Sequence, residues 1–146
     1  MKLEIKNRFT KNTQFTAEID RGEDATISRK IGLAVKCAVK NSANLSGADI
    51  SGANLTGADL TDAYLTGANL SGAVGVVPLG TPDGWTAVGW WKDGDPWVCV
   101  GCRNKSLSDG KSYWANKPDR REVMAALEYF EAVAAIRGQL SEKPNG

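Results

Sequence analysis

Residues 43–72 read ANLSG ADISG ANLTG ADLTD AYLTG ANLSG when they are divided into groups of five. Alanine opens each of the six units, an aliphatic residue takes the third position, and serine or threonine takes the fourth. The aliphatic residues are Leu45, Ile50, Leu55, Leu60, Leu65 and Leu70. A repeat of fixed period predicts a structure in which each unit packs against its neighbours. The flanking segments are then expected to pack against this repeat.

The residue types fit an extended backbone that turns a corner every five residues. Side chains two apart in an extended strand point the same way, so the alanine and the aliphatic residue both face inward. The Asn or Asp between them and the hydroxyl residue that follows face outward. Glycine at the fifth position permits the sharp corner. The segment is therefore predicted to form a narrow β-solenoid.

This pattern resembles the pentapeptide-repeat family, and the resemblance covers 30 of the 146 residues. It implies a right-handed, square β-helix with four units per coil. Six units then make about one and a half coils, so unit five stacks on unit one and unit six on unit two. Leu65 should lie over Leu45, and Tyr64 beside Asn44. The next unit, with Gly75 at its centre, is expected to end the solenoid.

The segments on either side of the repeat are predicted to cap it. At the usual strand spacing the rod is only ~7 Å tall, and both of its ends would expose apolar side chains and unpaired strand edges. Residues 2–20 alternate like a β-hairpin. Residues 24–41 have the period of an amphipathic helix that should cover the first end. Its predicted apolar stripe is Ile27, Ile31, Ala34, Val35 and Ala38.

The C-terminal half is rich in tryptophan, with five between residues 85 and 114. Residues 85–91 and 97–102 are predicted as strands joined by a turn at 92–95. Asp119 followed by Glu122 has the spacing of a capping box that starts a last helix. The buried stripe of that helix is predicted to be Val123, Leu127, Phe130 and Ala134.

The predicted fold class is therefore α+β, in three parts. Residues 1–42 form a hairpin and a capping helix, residues 43–77 the solenoid, and residues 78–146 a tryptophan-rich hairpin and a helix. The resemblance extends to these flanks. Trp97-Val98, then Val100-Gly101-Cys102, and later Trp114 with an alanine-rich helix, resemble the tail of small phage and prophage pentapeptide-repeat proteins, a group mostly of unknown function.

Composition argues against catalysis. The chain has no histidine, the usual general base and the commonest metal ligand, and no nucleophile or phosphate-loop motif is present. A net charge of +1 does not favour direct binding of nucleic acid. No apolar run is long enough to span a membrane, and the first residues lack the apolar core of a signal peptide. We expect a cytoplasmic protein with reduced thiols, no cofactor and no catalytic site.

Cys99 and Cys102 form a C-x-x-C pair. This spacing is compatible with a redox pair, or with half of a zinc site that two copies of the chain would share. Residues three apart in a strand point to opposite faces, however, and a zinc site needs four ligands. We favour two ordinary, half-buried cysteines and predict no metal site.

The candidate partner-binding residues fall into three groups. On the repeat they are Tyr64 and the acidic residues Asp49, Asp59 and Asp62. Most of the tryptophans are expected to pack in the core of a small sheet. Trp85 and Trp91 share one strand face and Trp90 takes the other, and Trp90 or Trp91 is the candidate for an exposed, partner-binding tryptophan. Along the last helix, Arg120 and Arg121 can form a basic patch with Arg137 and with the preceding Lys105, Lys111 and Lys117, although interleaved glutamates favour a solvated helix face.

The favoured function is non-catalytic binding to a host or phage protein complex. The resemblance suggests a phage accessory protein that inhibits a host complex, such as an anti-CRISPR-like or other anti-defence factor. Members of the pentapeptide-repeat family also mimic DNA and occupy DNA-binding enzymes such as topoisomerases. A rod this short, with Asp49 and Asp59 on opposite faces, lacks the acidic stripe of DNA, which carries a charge every ~1.7 Å. Self-assembly into a homo-oligomer is the third hypothesis.

Overall fold

The computed structural model describes residues 2–19, 26–101 and 103–137. Two strands and a helix precede the repeat, and four short strands and two helices follow it. Single-turn 3₁₀ helices at Pro82–Gly84 and Pro118–Arg120 connect the later elements. The elements are β1 Lys2–Lys6, β2 Thr13–Glu18, α1 Ile27–Lys40, β3 Val77–Pro78, β4 Ala87–Lys92, β5 Asp95–Val100, β6 Arg103–Ser106, α2 Leu107–Trp114 and α3 Arg121–Ile136.

The predicted N-terminal hairpin is confirmed. Strands β1 and β2 pair antiparallel, with Ile5 opposite Phe15. The hairpin also pairs with the repeat, because Asn7 forms an antiparallel bridge with Ala48 and the amide of Asp49 donates to the carbonyl of Lys6 at 2.7 Å. The first units of the repeat therefore have a partner for part of their strand edge.

Helix α1 packs directly on the backbone of the third repeat unit. Gly32 lies so close to Asn54 that a Cβ on this glycine would be 1.9 Å from the Asn54 carbonyl oxygen. The Asn54 amide donates to the carbonyl of Ser28 at 2.9 Å. The predicted helix is confirmed from Thr26, whose hydroxyl accepts from the Arg29 amide as an N-cap. Its two predicted preceding residues, 24 and 25, lie outside the described residues.

The predicted stripe of α1 needs one correction. Ala34, Val35 and Ala38 are buried as expected, but Ile27 is 66% exposed. Ile27 is the first residue of the helix, and its side chain is largely exposed although the carbonyl of the next residue, Ser28, bonds the repeat. The contact of Gly32 with the repeat could not be located from periodicity, because glycine carries no apolar side chain.

The repeat stacks with an offset of twenty residues. Parallel bridges join Asn44 to Tyr64, Asp49 to Asn69, and Asn54 to Val74. The predicted pairing of Tyr64 with Asn44 is thus confirmed. All six central aliphatic residues are at most 5% exposed and share one apolar cluster with the repeat alanines. These features define a β-solenoid-like stack in a fold that also has helices and antiparallel sheets.

The second position of most units closes a local turn. The side-chain oxygens of Asn44, Asp49, Asn54, Asp59 and Asn69 each accept from the backbone amide two residues later. Short side chains that bond their own backbone in this way stabilise turns. The corner glycines then turn the chain with positive φ, as at Gly47 with 74°. Tyr64 is the one second-position residue of the six units that cannot make this bond.

The C-terminal sheet is larger than predicted. Strands β3, β4, β5 and β6 form a four-stranded antiparallel sheet in that order, where the sequence had suggested a two-stranded hairpin. The turn between β4 and β5 is as predicted, with positive φ at Asp93 and Gly94, as a two-residue type I′ hairpin requires. Strand β6 and helix α2 were missed because the polar strand has no apolar alternation and the eight-residue helix contains a glycine.

The two faces of this sheet pack against different parts of the protein. Val88, Trp90 and Cys99 belong to the apolar cluster of the repeat, whereas Val98 and Val100 pack with α2 and α3. Gly89 allows the close approach of α3, since a Cβ there would be 2.5 Å from the Phe130 ring. The sheet therefore lies between the repeat and the last helices, whose predicted stripe Val123, Leu127, Phe130 and Ala134 is buried.

The start of α3 differs from the predicted capping box. Asp119 lies in the preceding 3₁₀ turn and forms an ion pair with Arg120 at 3.1 Å. The Asp83 carboxylate instead accepts from the Val123 amide at 2.9 Å, and the Glu122 carboxylate accepts from the Asp83 amide at 2.7 Å. The reciprocal bonds of a capping box are present, but they join α3 to a turn about forty residues earlier.

Candidate partner-binding surface

The acidic residues of the repeat are engaged in local hydrogen bonds. The Asp49 carboxylate accepts from the hydroxyl of Ser51 at 2.8 Å and from its amide at 3.2 Å. Asp59 accepts from the hydroxyl and the amide of Thr61 in the same way. The side-chain hydrogen bond, followed by the amide bond, lowers the pKa of both carboxyls below the ordinary aspartate value.

Each of these carboxylates also has cations nearby. Lys11 and Arg8 of the N-terminal hairpin lower the pKa of Asp49 further by charge, and Lys92 of β4 does the same for Asp59. Asp62 lines a shallow groove together with Lys36 and Lys40 of α1. Asp59 lines the same groove, whereas Asp49 does not. Cations accompany all three acids, so they do not form a continuous acidic surface.

Tyr64 is the most exposed aromatic residue of the repeat. Its side chain is 51% exposed and stands in the second position of unit five, where the other units carry Asn or Asp. Val74, the equivalent residue two units later, is 49% exposed. The repeat therefore offers isolated apolar side chains rather than a patch, and isolated exposed apolar residues are ordinary on protein surfaces.

Trp90 packs in the core, as favoured for most of the tryptophans, and the alternative that it is an exposed, partner-binding residue is wrong. Trp90 is 1% exposed, its ring lies 5.7 Å from that of Trp97, and its indole NH donates to the Asn104 side chain at 3.2 Å. Trp91 is half-buried with its ring edge against Phe130. The most exposed tryptophan is Trp85, at 42%. It precedes β4, which begins two residues later than predicted, so strand alternation does not set its orientation.

Trp85 lies at a groove that combines aromatic and basic side chains. We call it the basic–aromatic groove, with a volume of about 280 Å³ and the lining residues Trp85, Val100, Arg103, Tyr113, Trp114, Lys117 and Arg120. Three cations surround one ring, because the ammonium nitrogens of Lys105 and Lys117 are each 4.4 Å, and the Arg103 guanidinium carbon 5.2 Å, from the Tyr113 centroid. The Arg120 guanidinium lies 5.5 Å from the Trp85 centroid.

Only part of the basic patch predicted from sequence comes together here. Lys117 and Arg120 line the groove and Lys105 lies over its Tyr113 ring, whereas Lys111 forms an ion pair with Glu131 at 2.7 Å. Arg121 lines a neighbouring open surface with Met124 and Glu128. Arg137, at the end of α3, lines a different cleft, beside Trp91.

Arg103 was missed in the sequence. Arg103 and Lys105 are two apart in β6, so their side chains leave the same face of that strand. This spacing would have indicated a basic strand face if the strand itself had been recognised.

Each basic–aromatic contact contributes modestly. A cation over an aromatic ring stabilises an exposed site by about 0.5–1 kcal/mol. One ring has two faces, so three cations around Tyr113 compete for them while their charges repel. The groove is therefore not explained by internal stabilisation alone.

Of the C-x-x-C pair, the structure describes Cys99. Cys99 is buried, with its sulfur 3.5 Å from the Gly101 carbonyl oxygen. Cys102 lies outside the described residues, so the predicted divergence of the two thiols stays a prediction. Within residues 2–19, 26–101 and 103–137, no three His, Cys, Asp or Glu side chains are grouped closely enough to hold a metal ion. In the same ranges, no helix is long and apolar enough to cross a membrane.

Comparison with known proteins identifies the central segment only. A family model described as pentapeptide repeats, with eight copies, matches residues 42–74. No curated protein and no solved structure matches the chain.

Proposed function

We propose that the chain is a protein-binding module whose binding surface lies in the C-terminal region, residues 78–146. Residues 42–74 match the family model of pentapeptide repeats, and proteins with such repeats are generally non-catalytic protein-interaction modules. The observation that carries the proposal is the basic–aromatic groove. Its exposed tryptophan and surplus of cations are features that the repeat lacks.

In this proposal the repeat serves as a spacer. We interpret it as a right-handed solenoid of about one and a half coils between two caps, residues 1–42 and 78–146. The twenty-residue offset of its parallel bridges supports four units per coil. Its outward Asn and Asp side chains each accept a bond from their own backbone, which gives them a structural role in the turns.

The biological role that we propose is that of a phage accessory protein. The flanking motifs resemble those of small phage and prophage proteins, and a protein without chemistry can act there by occupying a host complex. An anti-defence inhibitor in the host cytoplasm fits this description. This part of the proposal rests on resemblance and on fold-level analogy.

Affinity capture with mass spectrometry tests the proposal. Tagged protein is expressed in phage-infected cells as wild type, Trp85→Ala and Tyr64→Ala, and the melting temperature of each variant is measured first. We expect the wild type and Tyr64→Ala to retain the same protein complex and Trp85→Ala to lose it. Loss with Tyr64→Ala alone would move the binding surface to the repeat, and the absence of any specific complex with wild type would contradict the proposed function.

Self-association is a second candidate, favoured by the outer face of α3. Ala125, Tyr129, Ala132 and Ile136 are all exposed, with Tyr129 at 59% and Ile136 at 85%. Their spacing of four, three and four residues aligns them along one side of the helix, as in helices that pair between copies. Sedimentation over a hundredfold concentration range tests whether the chain self-associates. A strict monomer at every concentration would contradict this candidate.

A further inference from the structure

The basic–aromatic groove concentrates positive charge in a small volume. Arg103, Lys105 and Lys117 all lie within 5.2 Å of the Tyr113 centroid. No two of the three charges can therefore be more than about 10 Å apart, which is close to the screening length of roughly 8–10 Å at physiological salt. Their mutual repulsion is incompletely screened, and Arg120 adds a fourth charge at the rim.

Among residues 2–19, 26–101 and 103–137, little negative charge is paired with this cluster. None of the groove's lining residues is acidic. Within the described part of the chain, no carboxylate forms an ion pair with Arg103, Lys105 or Lys117. Arg120 alone has one, with Asp119, whose side chain is 73% exposed. By contrast, Lys111 on the same helix as Tyr113 has Glu131.

We propose that the basic–aromatic groove binds an acidic segment of a partner protein, with Asp or Glu carboxylates beside Arg103, Lys105 and Lys117 and an apolar side chain against Trp85. The inference rests on the proposed protein-binding function and specifies the chemistry of the partner. Carboxylates form charge-assisted hydrogen bonds with lysine and arginine, stronger than neutral ones. The Arg120–Asp119 pair is an internal example of that contact.

The aromatic residues argue against a nucleic-acid strand in this groove. Proteins that bind single strands offer successive aromatic faces on which bases stack. Here the faces of Tyr113 are occupied by cations, and Trp114 is buried. Trp85 is the one exposed aromatic residue in the lining of the groove, so successive bases would have no second exposed ring on which to stack.

The size of the groove agrees with a short peptide contact. Its volume of about 280 Å³ is near the lower end of ordinary ligand sites. It can accept one or two side chains, not a run of nucleotides. One exposed tryptophan with cations around it suits a segment that alternates acidic and apolar residues, since aromatic and arginine side chains are the commonest anchors of protein interfaces.

Peptide titration of the purified full chain tests the inference. The probe is a twelve-residue peptide of Asp and Glu with two leucines, and its control has Asn and Gln in place of the acids. Binding is followed by tryptophan fluorescence and by the NMR shifts of the Trp85 indole. We expect saturable binding of the acidic peptide with a shift at Trp85, binding that weakens as salt rises, and no binding of the amide control.

Matched charge variants locate the site. The double variant Lys105→Gln/Lys117→Gln is expected to weaken acidic-peptide binding at least tenfold. The control double variant Arg29→Gln/Lys40→Gln removes the same charge from exposed positions of α1 and should leave the affinity within twofold. If both double variants weaken binding of the acidic peptide equally, the peptide is attracted by the net charge of the protein and not by the groove. That result would overturn the inference.

Two further results separate this inference from the function on which it rests. Tighter binding of an oligo(dT) strand than of the acidic peptide would overturn the acidic-segment proposal in favour of nucleic acid. If the wild type captures a protein complex in cells but the Lys105→Gln/Lys117→Gln variant captures it equally well, the groove proposal fails while the protein-binding function stands. If no complex is captured but the acidic peptide binds at the groove, the inference stands and the cellular role does not.

Discussion

The repeat and the C-terminal cap hold their polar side chains in different ways. In the repeat, Asn and Asp bond the backbone two residues on, and the acids Asp49 and Asp59 have cations beside them. In the cap, the basic–aromatic groove keeps three cations around one tyrosine without a carboxylate in its lining. Charge that the fold does not balance is a better indication of a binding surface than a regular pattern of balanced groups.

The two regions also differ in the range of the contacts that define them. In the repeat, the side-chain hydrogen bonds join residues two apart, and the stacked units are joined at a constant separation of twenty residues. The cap depends on pairs such as Asp83 with Val123. Yet one apolar cluster joins the regions, since Trp90 of the cap packs with the repeat leucines.

The largest effect is expected for Trp90→Ala. Truncation of a fully buried tryptophan costs about 3–5 kcal/mol, and here it also leaves the Asn104 side chain without its indole donor. Because Trp90 contributes to the repeat's core, circular dichroism and tryptophan fluorescence should report one unfolding transition at a lower urea midpoint. Trp85→Ala, at the exposed tryptophan, should cost far less. A repeat that keeps its wild-type midpoint while the cap unfolds would show that the regions do not share a core.

Gly32→Ala should have the next largest effect. The added methyl group would lie 1.9 Å from the Asn54 carbonyl oxygen, and backbone on both sides leaves little room to adjust. We expect a loss of about 1–3 kcal/mol in the free energy of unfolding, although alanine favours helices more than glycine does. Arg29→Ala, at an exposed position of the same helix, is the control and should change stability by under about 0.5 kcal/mol. A stabilised Gly32→Ala would mean that α1 does not pack on the repeat backbone.

The repeat and the helical stripes could be predicted from the sequence because their signals are local and periodic. Stacking of Tyr64 beside Asn44 followed from counting units, and the four buried residues of α3 followed from helical spacing. The close approach at Gly32 and the long-range cap at Asp83 could not be predicted, because both depend on which distant backbone comes near. The same holds for the groove, since Arg103 lies on a strand without apolar alternation.

Asp83→Ala is expected to destabilise the protein by about 0.5–2 kcal/mol. The Asp83 carboxylate caps the amide of Val123 in the first turn of α3, and loss of a helix N-cap has this magnitude. Asp119→Ala removes the acid that the local pattern had suggested as the cap and should cost under about 0.5 kcal/mol. Urea midpoints of the two variants compare the long-range cap with the local one. A larger loss of stability for Asp119→Ala than for Asp83→Ala would show that Asp119 caps α3, as the local sequence pattern predicts.

The smallest effect concerns the acids of the repeat and appears only at low pH. Hydrogen bonds from Ser51 and Thr61 lower the folded-state pKa of Asp49 and Asp59 below the unfolded value near 3.9. Their contribution to stability is therefore complete above that value and is lost as the pH falls through the folded pKa. The double variant Asp49→Asn/Asp59→Asn keeps an oxygen that can accept the amide bond of each turn. We expect its urea midpoint near the wild-type value at pH 6, with a smaller decrease between pH 5 and pH 2.5 than wild type shows. If the urea midpoints of both proteins fall equally in acid, these carboxylates do not stabilise the repeat turns. The contrast between the repeat and the basic–aromatic groove would then not rest on the charges of Asp49 and Asp59.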